Sequence, residues 1–274
     1  MEPAGRLGRQ GTWIWRLMGQ DSVDAGSASS DAAGDGLSQA TGIPSGPGGC
    51  LFVVATPIGN LGDMSQRALA VLGACDVVAC EDTRVSGRLL EHFGIRKPLL
   101  SYRDENELRQ SEVLCGRMRA GEKVVLMSDA GVPTVSDPGF RMVRQCRREG
   151  IPVIPIPGAS AVVTALCCSG LPSDAFLFLG FLAPKTSARI KAFQQYRDFP
   201  HTLILYESPH RILKFMDDVV AELGPDRVIC VCKELTKLHE RVWTGTAGAV
   251  RESLMKSSTK GEFVVLIAPS GYVV

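Results

Sequence analysis

The sequence predicts an α/β protein of two α/β domains with a crevice between them. Three observations carry that expectation. From Leu51 onward, short apolar runs of strand length alternate with helical patterns, which implies a mostly parallel, covered sheet. The strand ends run into loops unusually rich in Gly, Pro and Asp, and in open α/β sheets such loops line the ligand crevice. After Gly170-Leu171-Pro172-Ser173, which has linker composition, a second set of strands and helices begins. The expected divisions are a tail over 1–49, one α/β domain over 50–170 and a second over 171–274.

Taken in order, the chain opens on a segment unlike the rest. Residues 1–19 carry Arg6, Arg9 and Arg16 beside Trp13 and Trp15, and lack the apolar stretch of a secretory signal. They read as a plain tail, as an over-long start with Met18 the later alternative, or as an organelle transit peptide. Residues 21–49 are rich in Ser, Ala, Gly and Asp and hold almost no large apolar side chain. Such a segment cannot bury enough surface to offset the entropy of ordering, so a disordered tail is expected.

The first domain is then read as strands over 51–55, 76–80, 98–102, 123–127 and 152–156. Helices fall over 66–72, from 85 to 92, over 105–119, 140–148 and 161–169, with Ser65 placed to cap the first. In the second domain strands fall over 175–179, 201–205, 227–233, 241–245 and 262–268. Helices there cover 185–196, 212–223 and 249–255.

Bulk properties narrow the function. Apolar residues make 45% and charged residues 22% of the chain, as in an ordinary globular protein. The net charge of +1 provides no global basic field, which leaves local basic patches as the only electrostatic route to nucleic acid. No apolar run reaches the length of a membrane span, so no membrane partner is expected. Nine Cys without a CxxC pair point to buried reduced thiols rather than a metal site, and to a reducing compartment. Cys230 and Cys232, two apart on a strand, would share one face.

The loops carry the candidate chemistry. Ser128-Asp129-Ala130-Gly131-Val132-Pro133 through Gly139 joins a buried strand to a helix with more backbone constraint than a plain turn needs. It suits close approach of a ligand to the backbone, or else a rigid connector with Asp137 capping the next helix. Thr56-Pro57-Ile58-Gly59 sits where a nucleotide loop would, yet matches neither dinucleotide nor P-loop spacing. Pro157-Gly158-Ala159-Ser160 opens a helix whose free amides could meet a carboxylate. Glu81-Asp82-Thr83-Arg84 offers two carboxylates at a strand tip, suited to general-base work or, more blandly, to a capped helix with a surface ion pair. Tyr206-Glu207-Ser208-Pro209-His210-Arg211 adds an acid and a guanidinium suited to phosphate.

Together, and in this order, these loops with Leu51 to Asp63, Lys233 to Lys237 and Lys260-Gly261-Glu262 resemble the RsmI-type ribosomal small-subunit RNA (cytidine-2′-O)-methyltransferases of the tetrapyrrole-methylase superfamily. The resemblance spans about residues 50–269. It implies a homodimer of two α/β domains with S-adenosylmethionine in the cleft between them, and direct methyl transfer to a ribose hydroxyl. It implies cofactor contacts from Ile58 and Gly59, from Asp129, Ala130, Gly131, Val132 and Pro133, from Gly158, Ala159 and Ser160, and from Tyr206 and Glu207. Asp82 and Glu81 become the candidate bases, with Glu207 behind them. Arg84 and Arg211 would face RNA. Lys185 and Arg189, four apart on a helix that also carries Lys191, would extend a phosphate track or form a solvated basic face.

The implied partner is small-subunit ribosomal RNA or the assembled small subunit, the implied metal none, and the implied location cytoplasmic. A mitochondrion or plastid is the alternative if residues 1–19 are a transit peptide. Two departures from the family pattern are visible. Ala159 stands where Pro is usual, which should keep the turn. The chain also stops soon after Ala268, where a helical extension is common; if that extension aids ribosome docking, weaker affinity is expected. A methylase of a tetrapyrrole or a protein side chain on the same fold is the first alternative, and a non-catalytic RNA-binding factor the second.

Overall fold

The computed structural model describes residues 48–273. The tail and transit-peptide expectations fall outside the described residues, apart from Gly48 and a buried Gly49. The described residues form one compact unit built on two five-stranded sheets.

The first sheet contains β1 (Cys50–Val54), β2 (Val77–Cys80), β3 (Leu99–Ser101), β4 (Lys123–Met127) and β5 (Val153–Ile156). Their order is β3-β2-β4-β1-β5 and every pairing is parallel. Helices α1 (Gln66–Ala74), α2 (Thr83–His92), α3 (Glu107–Arg119) and α4 (Phe140–Arg148) make the crossovers. Such strands read as continuous apolar runs because both faces are covered. Leu51, Ala79, Leu126, Leu114, Met142 and Cys146 form one core beneath α3 and α4. The Ser65 hydroxyl accepts the Ala68 amide at 3.1 Å and starts α1 as its sequence suggests. With all strands parallel, the loops after β1, β2, β4 and β5 emerge on one edge, the carboxyl edge.

Asp137 does not cap α4. The Glu107 carboxylate does so from 32 residues upstream, accepting the Gly139 and Arg141 amides at 3.1 Å each. Asp137 is thereby free for something else.

The second sheet departs from the parallel expectation. It contains β6 (Phe176–Phe181), β7 (Thr202–Glu207), β8 (Val228–Lys233), β9 (Arg241–Thr246) and β10 (Phe263–Ile267), in the order β6-β7-β10-β8-β9. Only β6 and β7 are parallel neighbours; β10 runs antiparallel to β7 and β8, and β9 antiparallel to β8. The crossover from β7 to β8 through α7 (Ile212–Leu223) leaves a gap one strand wide, and β10 fills it in the opposite direction. Helices α6 (Thr186–Tyr196), α7 and α8 (Ala247–Met255) accompany the sheet, and Phe215, Met216, Val231, Val250 and Val265 form a core there.

The other face of this sheet is covered from the first half. In α5 (Ala161–Cys168), Val162, Ala165 and Leu166 pack with Ile204, Cys230, Val264 and Leu266. The stretch read as a linker is also pinned: Thr202 Oγ1 donates to the Pro172 carbonyl at 2.6 Å, and the Tyr272 hydroxyl donates to Gly170 at 2.9 Å. All nine Cys are free thiols. Seven are buried, Cys167 and Cys168 are exposed, and Cys230 and Cys232 share a face with their Sγ atoms 3.7 Å apart.

Candidate functional site

The carboxyl edge of the first sheet is organised by one contact. The Thr56 amide donates to the Gly131 carbonyl at 2.8 Å and the Gly131 amide returns to Thr56 at 3.1 Å. Thr56 Oγ1 also donates to the Ser128 carbonyl at 3.2 Å. The loops after β1 and β4 are thus joined beyond their strands. Gly131 sits at φ 82° and Thr134 and Ser136 at 74° and 65°, conformations that cost side-chain-bearing residues energy and recur at functional loops. Next to them the chain at Gly158 passes so close to Ala55 that a Cβ would stand 2.9 Å from the Ala55 methyl, which requires glycine.

Against this edge lies a cavity of about 290 Å³, with walls from both halves of the fold. Ile58, Ala130, Gly131, Val132, Ser160, Tyr206 and Glu207 line it. Gly59 and Asp129 line an adjoining, more open cavity of about 500 Å³, which shares Ile58 and Ala130 with the first. Pro133, Gly158 and Ala159 line neither and shape the loops from behind. Sequence reasoning missed Asp137, Phe181, Leu235 and Glu262 in the walls. Asp137 lies in the central loop, where its sequence context suggests no role beyond capping α4. Glu262 was visible beside Gly261 but had no assigned role. Nothing in their local patterns marks Phe181 or Leu235.

The cavity's carboxylates differ in their partners. Glu207 has a fully buried side chain. Its Oε1 accepts the Ser208 amide at 2.6 Å and Arg211 Nε at 2.9 Å, while Oε2 is buried with no partner. Glu262 Oε2 is 2.8 Å from Lys237 Nζ, which also reaches Glu234 Oε1 at 3.0 Å. The Lys237 stem lies over Gly59, where a Cβ would stand 2.4 Å from its Cγ. Asp137 has no cation: burial first, then the Glu81 and Asp129 carboxylates, push it up to about 6, against a hydrogen bond from Ser128. Burial likewise raises the Tyr206 phenol to about 12.

Three expected roles need correction. Asp82 is a poor base, because hydrogen bonds from the Arg84 side chain and amide hold its carboxyl far below the usual range. It caps α2 instead, and neither it nor Glu81 lines either cavity. Arg211 does not reach outward, since its guanidinium is closed on Glu207, the Ser208 hydroxyl and the Leu182 carbonyl. Arg189 is 1% exposed, paired with Asp218 and bonded to Pro184 and Thr186, so it cannot touch a phosphate. Arg84, Lys185 and Lys191 are exposed. Glu81 is half-buried, and burial followed by Asp129 raises its pKa.

Among the described residues no group of three or more His, Cys, Asp or Glu is placed to hold a metal ion, and no helix is long and apolar enough to cross a membrane.

The family model for tetrapyrrole (corrin/porphyrin) methylases matches residues 50–251. The ribosomal RNA small subunit methyltransferase I of Haemophilus influenzae is 47% identical over 221 residues, covering 80% of this chain and 78% of the relative. That of Pasteurella multocida is 48% identical over 221 residues, covering 80% and 79%. Among solved structures, uroporphyrin-III C-methyltransferase from Thermus thermophilus in complex with S-adenosylhomocysteine superposes with a TM-score of 0.55 at 19% identity, covering 80% of this chain and 97% of that one. That likeness shows the fold alone.

Proposed function

Because this chain belongs to the tetrapyrrole methylase family, we propose that it is an S-adenosylmethionine-dependent methyltransferase acting on the ribose 2′-hydroxyl of a cytidine in small-subunit ribosomal RNA. The observation that carries the reading is the cavity at the carboxyl edge, walled by the expected cofactor loops, within a chain nearly half identical to ribosomal RNA methyltransferases. The likeness to a porphyrin methylase extends to the fold only and does not favour a tetrapyrrole substrate.

The residues present fit the cofactor. The buried Glu207 Oε2 needs a hydrogen-bond donor, and α5 opens at Ser160 without a side-chain cap, leaving first-turn amides suited to a carboxylate. S-adenosylmethionine supplies an electrophilic methyl group, so the protein's task is to bring the hydroxyl into line with it. Ile58, Val132, Phe181 and Leu235 give the cavity apolar walls. Glu81 lines neither cavity, so it can accept the hydroxyl proton only from a ribose held outside the cofactor cavity; its pKa, unlike that of Asp82, is raised. Arg84, Lys185 and Lys191 are the cations left to meet RNA phosphates.

The reading includes two α/β domains meeting at the cavity, a homodimer, and action in the cytoplasm on RNA or the assembled subunit. Incubation with labelled S-adenosylmethionine and either small subunits or a precorrin tests it. Label should enter ribosomal RNA, and mass mapping should place it on a ribose of cytidine. Label in the precorrin alone would reverse the assignment.

A further inference from the structure

The cavity holds an uneven set of charges. Three carboxylates line it, from Asp137, Glu207 and Glu262, and no Lys, Arg or His does. Arg211 meets Glu207, and Lys237 meets Glu262 while also serving Glu234. Asp137 is balanced by nothing. The charged groups facing it are Glu81 at the end of β2 and Asp129 in its own loop, both negative, and it in turn faces the Tyr206 phenol on β7. Its one polar support is the Ser128 side chain. A mostly apolar cavity with negative charge in excess, and with one lining carboxylate that meets no cation, is the electrostatic complement of a ligand with net positive charge. The buried, unpartnered Glu207 Oε2 is a second, independent sign that the cavity is built to accept donors from a ligand.

The methyl donor and its product differ in that respect. S-adenosylmethionine carries a sulfonium cation besides its ammonium and carboxylate, whereas S-adenosylhomocysteine has a neutral thioether and no net charge. We infer that Asp137 is the residue that reads the donor's extra positive charge, so that the site holds the charged donor and lets the neutral product go. The inference rests on the cofactor assignment above and adds to it a residue and a selectivity. Transfer of the methyl group removes the positive charge that Asp137 attracts, and the carboxylate is left again without a partner. Product release is thereby favoured at the moment it is needed.

Calorimetry with the full-length protein separates this from a merely structural role. Asp137→Asn keeps the shape and the hydrogen-bonding capacity toward Ser128. It should weaken S-adenosylmethionine binding by about tenfold and leave S-adenosylhomocysteine binding within about twofold of the parent. The unmodified protein gives a second readout that needs no variant. Its affinity for the donor should fall as pH drops below about 6, where Asp137 takes up a proton, while its affinity for the product stays level. A variant that loses both ligands equally, or neither, overturns the selectivity while leaving the cofactor assignment standing. A parent protein that binds neither ligand overturns the cofactor assignment and this inference together.

Discussion

Asp137 and Asp218 carry the same side chain in opposite circumstances. Asp218, on α7 behind the second sheet, meets the buried guanidinium of Arg189. Asp137, on the loop after β4, meets no cation and is flanked by two further carboxylates. The pattern extends to their surroundings. Around the second sheet the charges close on one another, as with Arg211 on Glu207, Arg251 on Asp217 and Lys237 on Glu234. At the carboxyl edge of the first sheet, Glu81 and Asp137 are left with raised pKa values. Paired charges are common in structural networks, whereas carboxylates with raised pKa values and no cation are candidates for a functional site. The difference agrees with the site proposed at the first sheet's edge, although Asp82 and Arg84 close on each other there too.

That contrast can be broken at four places. The largest effect is expected in the rate at Glu81. If it accepts the ribose proton, Glu81→Gln should lower kcat by about 10²- to 10⁴-fold with cofactor affinity retained. A rate near the parent's would move the base elsewhere. Next comes Arg189→Ala, which strands Asp218 with its side chain only 12% exposed. A loss of about 3–5 kcal/mol in urea unfolding is expected, and replacing both partners with apolar residues should recover much of it.

A smaller effect of opposite sign is expected at Asp137. Its folded-state pKa of about 6 lies above the ordinary carboxyl value near 4, so the folded form binds the proton more tightly. Stability of the ligand-free protein therefore falls as pH rises from about 4 through 6. Asp137→Asn should be more stable than the parent above that window by about 1 kcal/mol, after allowance for partial exposure, and equal to it near pH 4. A destabilised variant at neutral pH would mean that the carboxylate has a partner after all. The smallest effect is at Arg84, whose side chain is 82% exposed over Asp82. Arg84→Ala should leave stability nearly unchanged but reduce the salt dependence of RNA binding. An unaltered salt slope would remove Arg84 from the RNA face.

Much of the architecture was legible because Gly and Pro punctuate it. The expected strand over 123–127 and the helices over 140–148 and 212–223 coincide with β4, α4 and α7. Strand direction in the second sheet was not legible. Runs such as Val228–Lys233 and Phe263–Ile267 are buried throughout, and burial alone does not tell parallel from antiparallel. Of the site, the loops were legible and the charge partners were not. Lys185 and Arg189 are spaced to share a face, yet Arg189 turns inward to a carboxylate 29 residues away. Asp137 looked like a cap because Glu107, which does the capping, is remote in the chain. Local spacing reports where a side chain starts, and long-range partners decide where its charge ends.

The paired amides of Thr56 and Gly131 have a dynamic consequence. Each residue is both donor and acceptor to the other, so neither loop can swing away without releasing its counterpart. The loops after β1 and β4 should open as one cooperative unit, and in deuterated water the two amide protons should exchange at a common rate. A motion that shifts Ile58 should then be felt at Val132 in the same event, because both residues flank the joined pair and line the same cavity.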